Sequence, residues 1–155
     1  MQKRDLETKD ATPQGSATLN DTEFTITSLN ESPVLVEGSF YKKNDVVKTI
    51  RTGADGIAST ASDTLPYGKY RIDESKSPQG YLTTGVLSRE FEITEDGKIV
   101  DLTSEETAIF NQIIRGGVKI QKRDLETKDV KPQGGATLEN TEFAITSLNE
   151  NPVLV

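Results

Sequence analysis

Residues 65–81 read LPYGKYRIDESKSPQGY. The turn signals Pro66-Tyr67-Gly68 and Pro78-Gln79-Gly80 bracket a run in which Tyr70, Ile72 and Glu74 alternate with Arg71 and Asp73. That period of two is the mark of a strand with one face buried. The same pattern recurs outward from it. FTITSL (Phe24–Leu29), VLVEGSFY (Val34–Tyr41), DVVKTI (Asp45–Ile50), REFEIT (Arg89–Thr94), KIVDL (Lys98–Leu102) and AIFNQII (Ala108–Ile114) all read as strands. Further turns are expected at Pro13-Gln14-Gly15, Ala54-Asp55-Gly56 and Glu95-Asp96-Gly97. No stretch carries sustained helical periodicity. The expected fold is all-β, an antiparallel, immunoglobulin-like sandwich.

The chain also repeats itself. Residues 2–36, QKRDLETKDATPQGSATLNDTEFTITSLNESPVLV, return as residues 121–155, QKRDLETKDVKPQGGATLENTEFAITSLNENPVLV, with 28 of 35 positions identical. Lys3 recurs as Lys122, an offset of 119 residues. That period exceeds the roughly 20–50 residues of solenoid and propeller units, so a tandem array of whole domains is expected. Residues 1–116 read as one complete domain and residues 117–155 as the first third of the next. The expected chain is thus a piece of a longer array. The short link Arg115-Gly116-Gly117 leaves little hinge freedom between units. Lys9–Thr18, and Lys128–Thr137 in the second copy, read as a long polar loop.

Composition narrows the chemistry. The 155 residues include no Cys and no His, and Asp plus Glu number 25 against 18 Lys plus Arg. No disulfide can brace the fold. The usual zinc sites and Ser-His-Asp or Cys-His catalysis lack their residues. The acidic balance offers no basic stripe for nucleic acid, and no apolar run is long enough for a membrane helix. The Asp-Gly pairs at 55–56 and 96–97 lack calcium-loop spacing and read as hairpin turns. No cofactor or metal is expected.

Alternation directs one polar residue inward on each of three strands. Lys3 shares a face with Met1, and in the second copy Lys122 shares one with Val118 and Ile120. Glu74 shares a face with Tyr70 and Ile72, and Asn111 with Ile109 and Ile113. Each is costly to bury alone, and together they can satisfy one another. Taken without any family pattern, a surface ion pair and a turn residue is the simpler reading.

The order QKRD, then LPYGKYRIDESKSPQGY, then IFNQIIRGGVKIQKRD (Ile109–Asp124) resembles the B-type repeat of collagen-adhesin-like surface proteins. These are also called SpaA-like or prealbumin-like pilin domains of Gram-positive bacteria. The most specific part is Pro66-x-Gly68-x-Tyr70, Glu74 and Pro78-x-Gly80-Tyr81. The resemblance implies an intramolecular isopeptide bond in which Lys3 is the nucleophile, Asn111 the acyl partner and Glu74 the assisting acid. Burial favours neutral amine and neutral carboxyl, and held partners reach effective molarities of roughly 10⁵ M or more. Such a reaction turns over once, so the chain is not expected to be an enzyme.

The function implied is a stalk or spacer domain of a cell-wall-associated adhesin or pilin-like protein, outside a Gram-positive cell. Its expected partners are adjacent repeats, with any host extracellular-matrix ligand bound through other domains. The alternative is an adhesive module that binds a host ligand directly and displays exposed aromatic clusters. Lys122 lacks counterparts of Glu74 and Asn111 in its own unit. The second copy is therefore expected to stay poorly ordered, to lean its apolar face on the first unit, or to replace the first strand of another molecule.

Overall fold

In the computed structural model, which describes residues 1–84 and 87–155, the strands are β1 (Lys3–Asp5), β2 (Glu23–Ser28), β3 (Val34–Val36), β4 (Ser39–Tyr41), β5 (Val46–Arg51), β6 (Gly68–Lys76), β7 (Ser88–Ile93) and β8 (Ile109–Asn111). A four-stranded antiparallel sheet has the order β5-β2-β6-β7, and two-stranded pairs β1-β8 and β3-β4 complete the all-β fold. Its central strand β6 lies between the two Pro-x-Gly turns. Gly68, Tyr70, Ile72 and Glu74 are buried along one face, and the residues between them lie nearer solvent. Phe24 and Ile26 of β2 join Tyr70 and Ile72 in the core, with Met1, Val34, Val36, Val47 and Ile109 packed on them. Tyr70 stacks on Phe91 of β7 at 5.7 Å between ring centres. Its hydroxyl donates to the Pro66 carbonyl at 2.9 Å, so a large buried ring carries no unmet polar group.

Three expectations are modified. The run Val34–Tyr41 is not one strand: Glu37 and Gly38 take φ of 47° and 83°, and the chain folds back as the β3-β4 hairpin. Two successive residues at positive φ give the tight turn whose twist matches the flanking strands. Lys98–Leu102 is not a strand. Its Leu102 carbonyl accepts from Gln2 N–H at 3.3 Å instead of pairing with β7. The third concerns β1 and β8, which run parallel, with Lys3 opposite Ile109 and Asp5 opposite Asn111. A parallel pair cannot be closed by a hairpin. Here the whole domain is the connection, and it joins the strand where the chain enters to the strand where it leaves.

Contacts divide the chain into Met1–Ile114 with Asn149–Val155, and Arg115–Leu148. In the first unit, Asn149–Val155 lies along the Gln14–Ser16 loop. Gly15 N–H donates to Pro152 O at 3.0 Å, Asn151 Nδ2 donates to Gly15 O at 3.0 Å, and Leu154 N–H donates to Gln14 Oε1 at 2.9 Å. Over Arg115–Leu148 no strand forms, although the sequence there nearly copies β1 and β2. Two or three strands without a facing sheet bury too little to persist.

Local loop structure does form in that second unit. Asp124 accepts from Glu126 N–H, Thr127 N–H and Gln133 Nε2, each at 2.9 Å. The same carboxylate in the first copy, Asp5, accepts from Glu7 N–H at 2.8 Å, Thr8 N–H at 3.1 Å and Gln14 Nε2 at 3.2 Å.

Candidate cross-link site

β1, β6 and β8 bring Lys3, Glu74 and Asn111 into one buried cluster. Lys3 and Asn111 are fully buried, and Glu74 keeps 7% of its surface. The Lys3 Nζ donates to the Arg4 carbonyl and, across the strand pair, to the Ile109 carbonyl, both at 3.2 Å. Glu74 Oε2 stands 3.8 Å from the same nitrogen, within ion-pair range. Burial pulls the Lys3 ammonium down to a pKa of about 8, against the opposing pull of the Glu74 and Asp5 carboxylates. A neutral amine is therefore far more accessible here than on an exposed lysine.

Glu74 bridges the other two residues. While Oε2 faces Lys3, Oε1 accepts a short hydrogen bond from Asn111 Nδ2. The Asn111 nitrogen, which would leave as ammonia in a condensation, thus already touches the carboxyl group. Two buried atoms in this cluster have no hydrogen-bond partner: Glu74 Oε2 and Asn111 Oδ1. Orphaned buried oxygens are rare in folded proteins and single out this cluster.

The other cationic side chains near the chain start are occupied elsewhere. Arg4 points away from the core and donates to Gln2 Oε1, Lys9 O and Thr103 O. The Lys9 ammonium sits over the Phe110 ring at 5.1 Å. Lys122, the second-copy counterpart of Lys3, is exposed. Among the described residues no group of three acidic side chains assembles as a metal site.

Sequence reading missed a second buried carboxylate. Asp5 is fully buried. Besides its loop partners it accepts from the Tyr81 hydroxyl at 2.9 Å. Burial, then the Asp5 carboxylate, hold the Tyr81 phenol well above its usual range, so it remains a donor. Asp5 stands two residues beyond Lys3 on the same face, so alternation alone pointed it inward. Its partner could not be read, because Tyr81 lies in a loop 76 residues away. Replacing Tyr81→Phe removes one donor from a buried charge and is expected to cost about 1–3 kcal/mol. Urea unfolding in a Glu74→Gln background, where no cross-link masks the loss, measures it; an unchanged midpoint contradicts that role for the hydroxyl.

A family model described as SpaA, prealbumin-like fold domain, matches residues 4–108. The chain belongs to this family. The match contains Glu74 and ends just inside both Lys3 and Asn111. No curated protein matches the chain. Among solved structures, the chain has a likeness to the pilus 2b backbone protein of group B streptococcus, at 20% identity and a TM-score of 0.45. The likeness covers 72% of this chain and 39% of that one. The chain therefore spans well under half of that pilus protein's length.

Proposed function

We propose that this chain is a structural stalk domain of a pilin-like or adhesin protein outside a Gram-positive cell, cross-linked by an isopeptide bond between Lys3 and Asn111. One observation carries the reading. A buried amine and a buried carboxamide, on the strands where the chain enters and leaves, are bridged by one carboxyl group.

The reaction balances within the cluster. The Lys3 ammonium gives a proton to Glu74, and the freed amine attacks the Asn111 carboxamide carbon. The Glu74 carboxyl then turns about its last C–C bond and delivers that proton to the departing nitrogen. The C–N bond to Nδ2 breaks, ammonia leaves, and the new amide nitrogen returns its surplus proton to Glu74. The event occurs once per molecule, so the domain is not an enzyme in the turnover sense. Its partners on this reading are neighbouring repeats and other subunits of the same assembly.

Intact mass spectrometry of the folded protein is expected to show the calculated mass less one ammonia, with a cross-linked peptide pair containing Lys3 and Asn111. A full calculated mass defeats the proposal. Glu74→Ala is expected to fold and keep its ammonia; a bond formed without Glu74 assigns that residue the wrong role.

A second reading, direct adhesion to a host ligand, draws on the β3-β4 hairpin. Leu35 and Phe40 are cross-strand partners, Phe40 and Tyr67 are each 75% exposed, and Leu35 and Tyr67 line one cavity. A ligand-binding screen on the isolated first unit separates the two readings. Specific binding lost on Phe40→Ser favours adhesion, and absence of binding leaves the stalk.

A further inference from the structure

Ser77 lies one residue beyond β6, between the Glu74 strand and the turn Pro78-Gln79-Gly80. Its hydroxyl donates to Glu74 Oε1 at 2.6 Å and accepts from Asn111 Nδ2 at 2.9 Å. It therefore touches both the proton-carrying group and the leaving nitrogen of the proposed condensation. The backbone around it is tied down. Thr18 N–H donates to Gln79 O at 3.1 Å and Ile114 N–H to Gly80 O at 2.9 Å. Tyr81 bridges Ile113, just past β8. Gly80 has φ of +90°, and a Cβ there would meet the Ala17 Cβ at 2.6 Å, so only glycine lets the turn close this tightly.

We propose that Ser77 is a positioning residue for the cross-link, fixing which way round the Asn111 carboxamide faces; this rests on the isopeptide reading above. A hydroxyl has one proton and two lone pairs. Two acceptors face that single proton, Glu74 Oε1 at 2.6 Å and Thr83 Oγ1 at 3.1 Å, and the shorter bond to the carboxyl group takes it. Ser77 then offers Asn111 only lone pairs, and lone pairs accept from the amide NH₂ and not from its carbonyl. The amide is thereby held with its nitrogen toward Glu74 Oε1, where a proton can reach it. Its carbonyl oxygen, which has no hydrogen-bond partner, is turned away. A flipped amide would set the carbonyl against the carboxylate and leave the departing nitrogen out of reach of the acid.

The test follows ammonia loss by time-resolved mass spectrometry after refolding from denaturant. Ser77→Ala is expected to slow the bond by about fivefold or more, the scale of one lost hydrogen bond. Ser77→Thr keeps the hydroxyl and is expected to restore most of the rate. Introducing Asn111→Asp supplies a control that a merely structural role would not pass. The two oxygens of a carboxyl group are equivalent, so no orientation remains to be fixed, and Ser77→Ala should then change the rate of water loss little. Equal rates for wild type and Ser77→Ala overturn the role of Ser77 while leaving the cross-link intact. So does an equal slowing with and without the Asn111→Asp substitution, or failure of Thr to rescue. A wild type that never loses ammonia defeats the cross-link reading and Ser77 with it.

Discussion

Pulled from its two ends, the wild-type first unit is expected to release almost no contour length, whereas Lys3→Ala releases on the order of 300–350 Å, from about 3.3 Å per residue over roughly 100 residues. The effect follows from the parallel pairing of β1 with β8. Tension arrives at the beginning of β1 and leaves at the end of β8, so the two strands are loaded in shear. In the unlinked domain only the three paired positions of each strand and their packing resist. A Lys3–Asn111 amide carries the load directly between them, and everything from β2 to β7 lies inside the closed loop. Single-molecule force spectroscopy on a concatemer reads the difference. An unfolding step of full length in the wild type contradicts the cross-link, and a short step in Lys3→Ala means that some other bond closes the loop.

The second large effect is on equilibrium stability. Closing a loop of roughly 100 residues removes about 4–5 kcal/mol of unfolded-state entropy in the chain-entropy model, less any strain in the folded state. For a domain of this size each kcal/mol moves the melting midpoint by about 4–8 °C. Wild type is therefore expected to melt on the order of 20 °C above Glu74→Gln, which keeps the shape of the site and removes its acid. Equal midpoints would mean that the bond is absent or idle.

The pH dependence adds a sign. In Asn111→Ala, Lys3 remains an amine with a folded pKa of about 8 against the ordinary lysine value of 10.5. Between those values the unfolded chain binds more protons than the folded one, so stability rises as pH climbs from about 8 to about 10.5. Below about pH 8 the penalty for burying the ammonium is constant. On the proposed cross-link the wild-type nitrogen is an amide, and this rise is expected to disappear. Urea titrations across that window distinguish the two; a falling curve in Asn111→Ala would contradict the lowered Lys3 pKa.

Much of the site was legible because strands alternate. Tyr70, Ile72 and Glu74 fall on the buried face of β6 as their spacing requires, and the same rule sends Lys3 and Asn111 inward. Ser77 and the Asp5–Tyr81 pair were not legible. Each depends on a loop that returns to β1 or β8 from far along the chain, and no period encodes such a return. Lys98–Leu102 alternates as a strand does, yet the carbonyl of Leu102 bonds to Gln2 and the segment never joins the sheet edge.

The two near-identical copies separate local from tertiary control. Lys9 and Lys128 share positive φ, at 62° and 57°, as do Gly15 and Gly134, at 59° and 56°, and Asp21 and Asn140, at 57° and 58°. Asp5 and Asp124 collect the same loop donors. These features appear with or without a completed sheet, because their partners lie within about ten residues and closing so short a loop costs little entropy. Strands are different. KRD forms β1 only where β8 stands beside it, and EFTITS forms β2 only between β5 and β6. Residues 121–148 repeat those sequences without those neighbours and form no strand. A strand's hydrogen bonds and its buried face both belong to other segments. The residues themselves thus determined the turns, the loop around each aspartate and the inward face of β1 and β6. Only the tertiary structure, by supplying partners as far as 106 residues along the chain, decided which strands exist and where Lys3, Glu74, Ser77 and Asn111 meet.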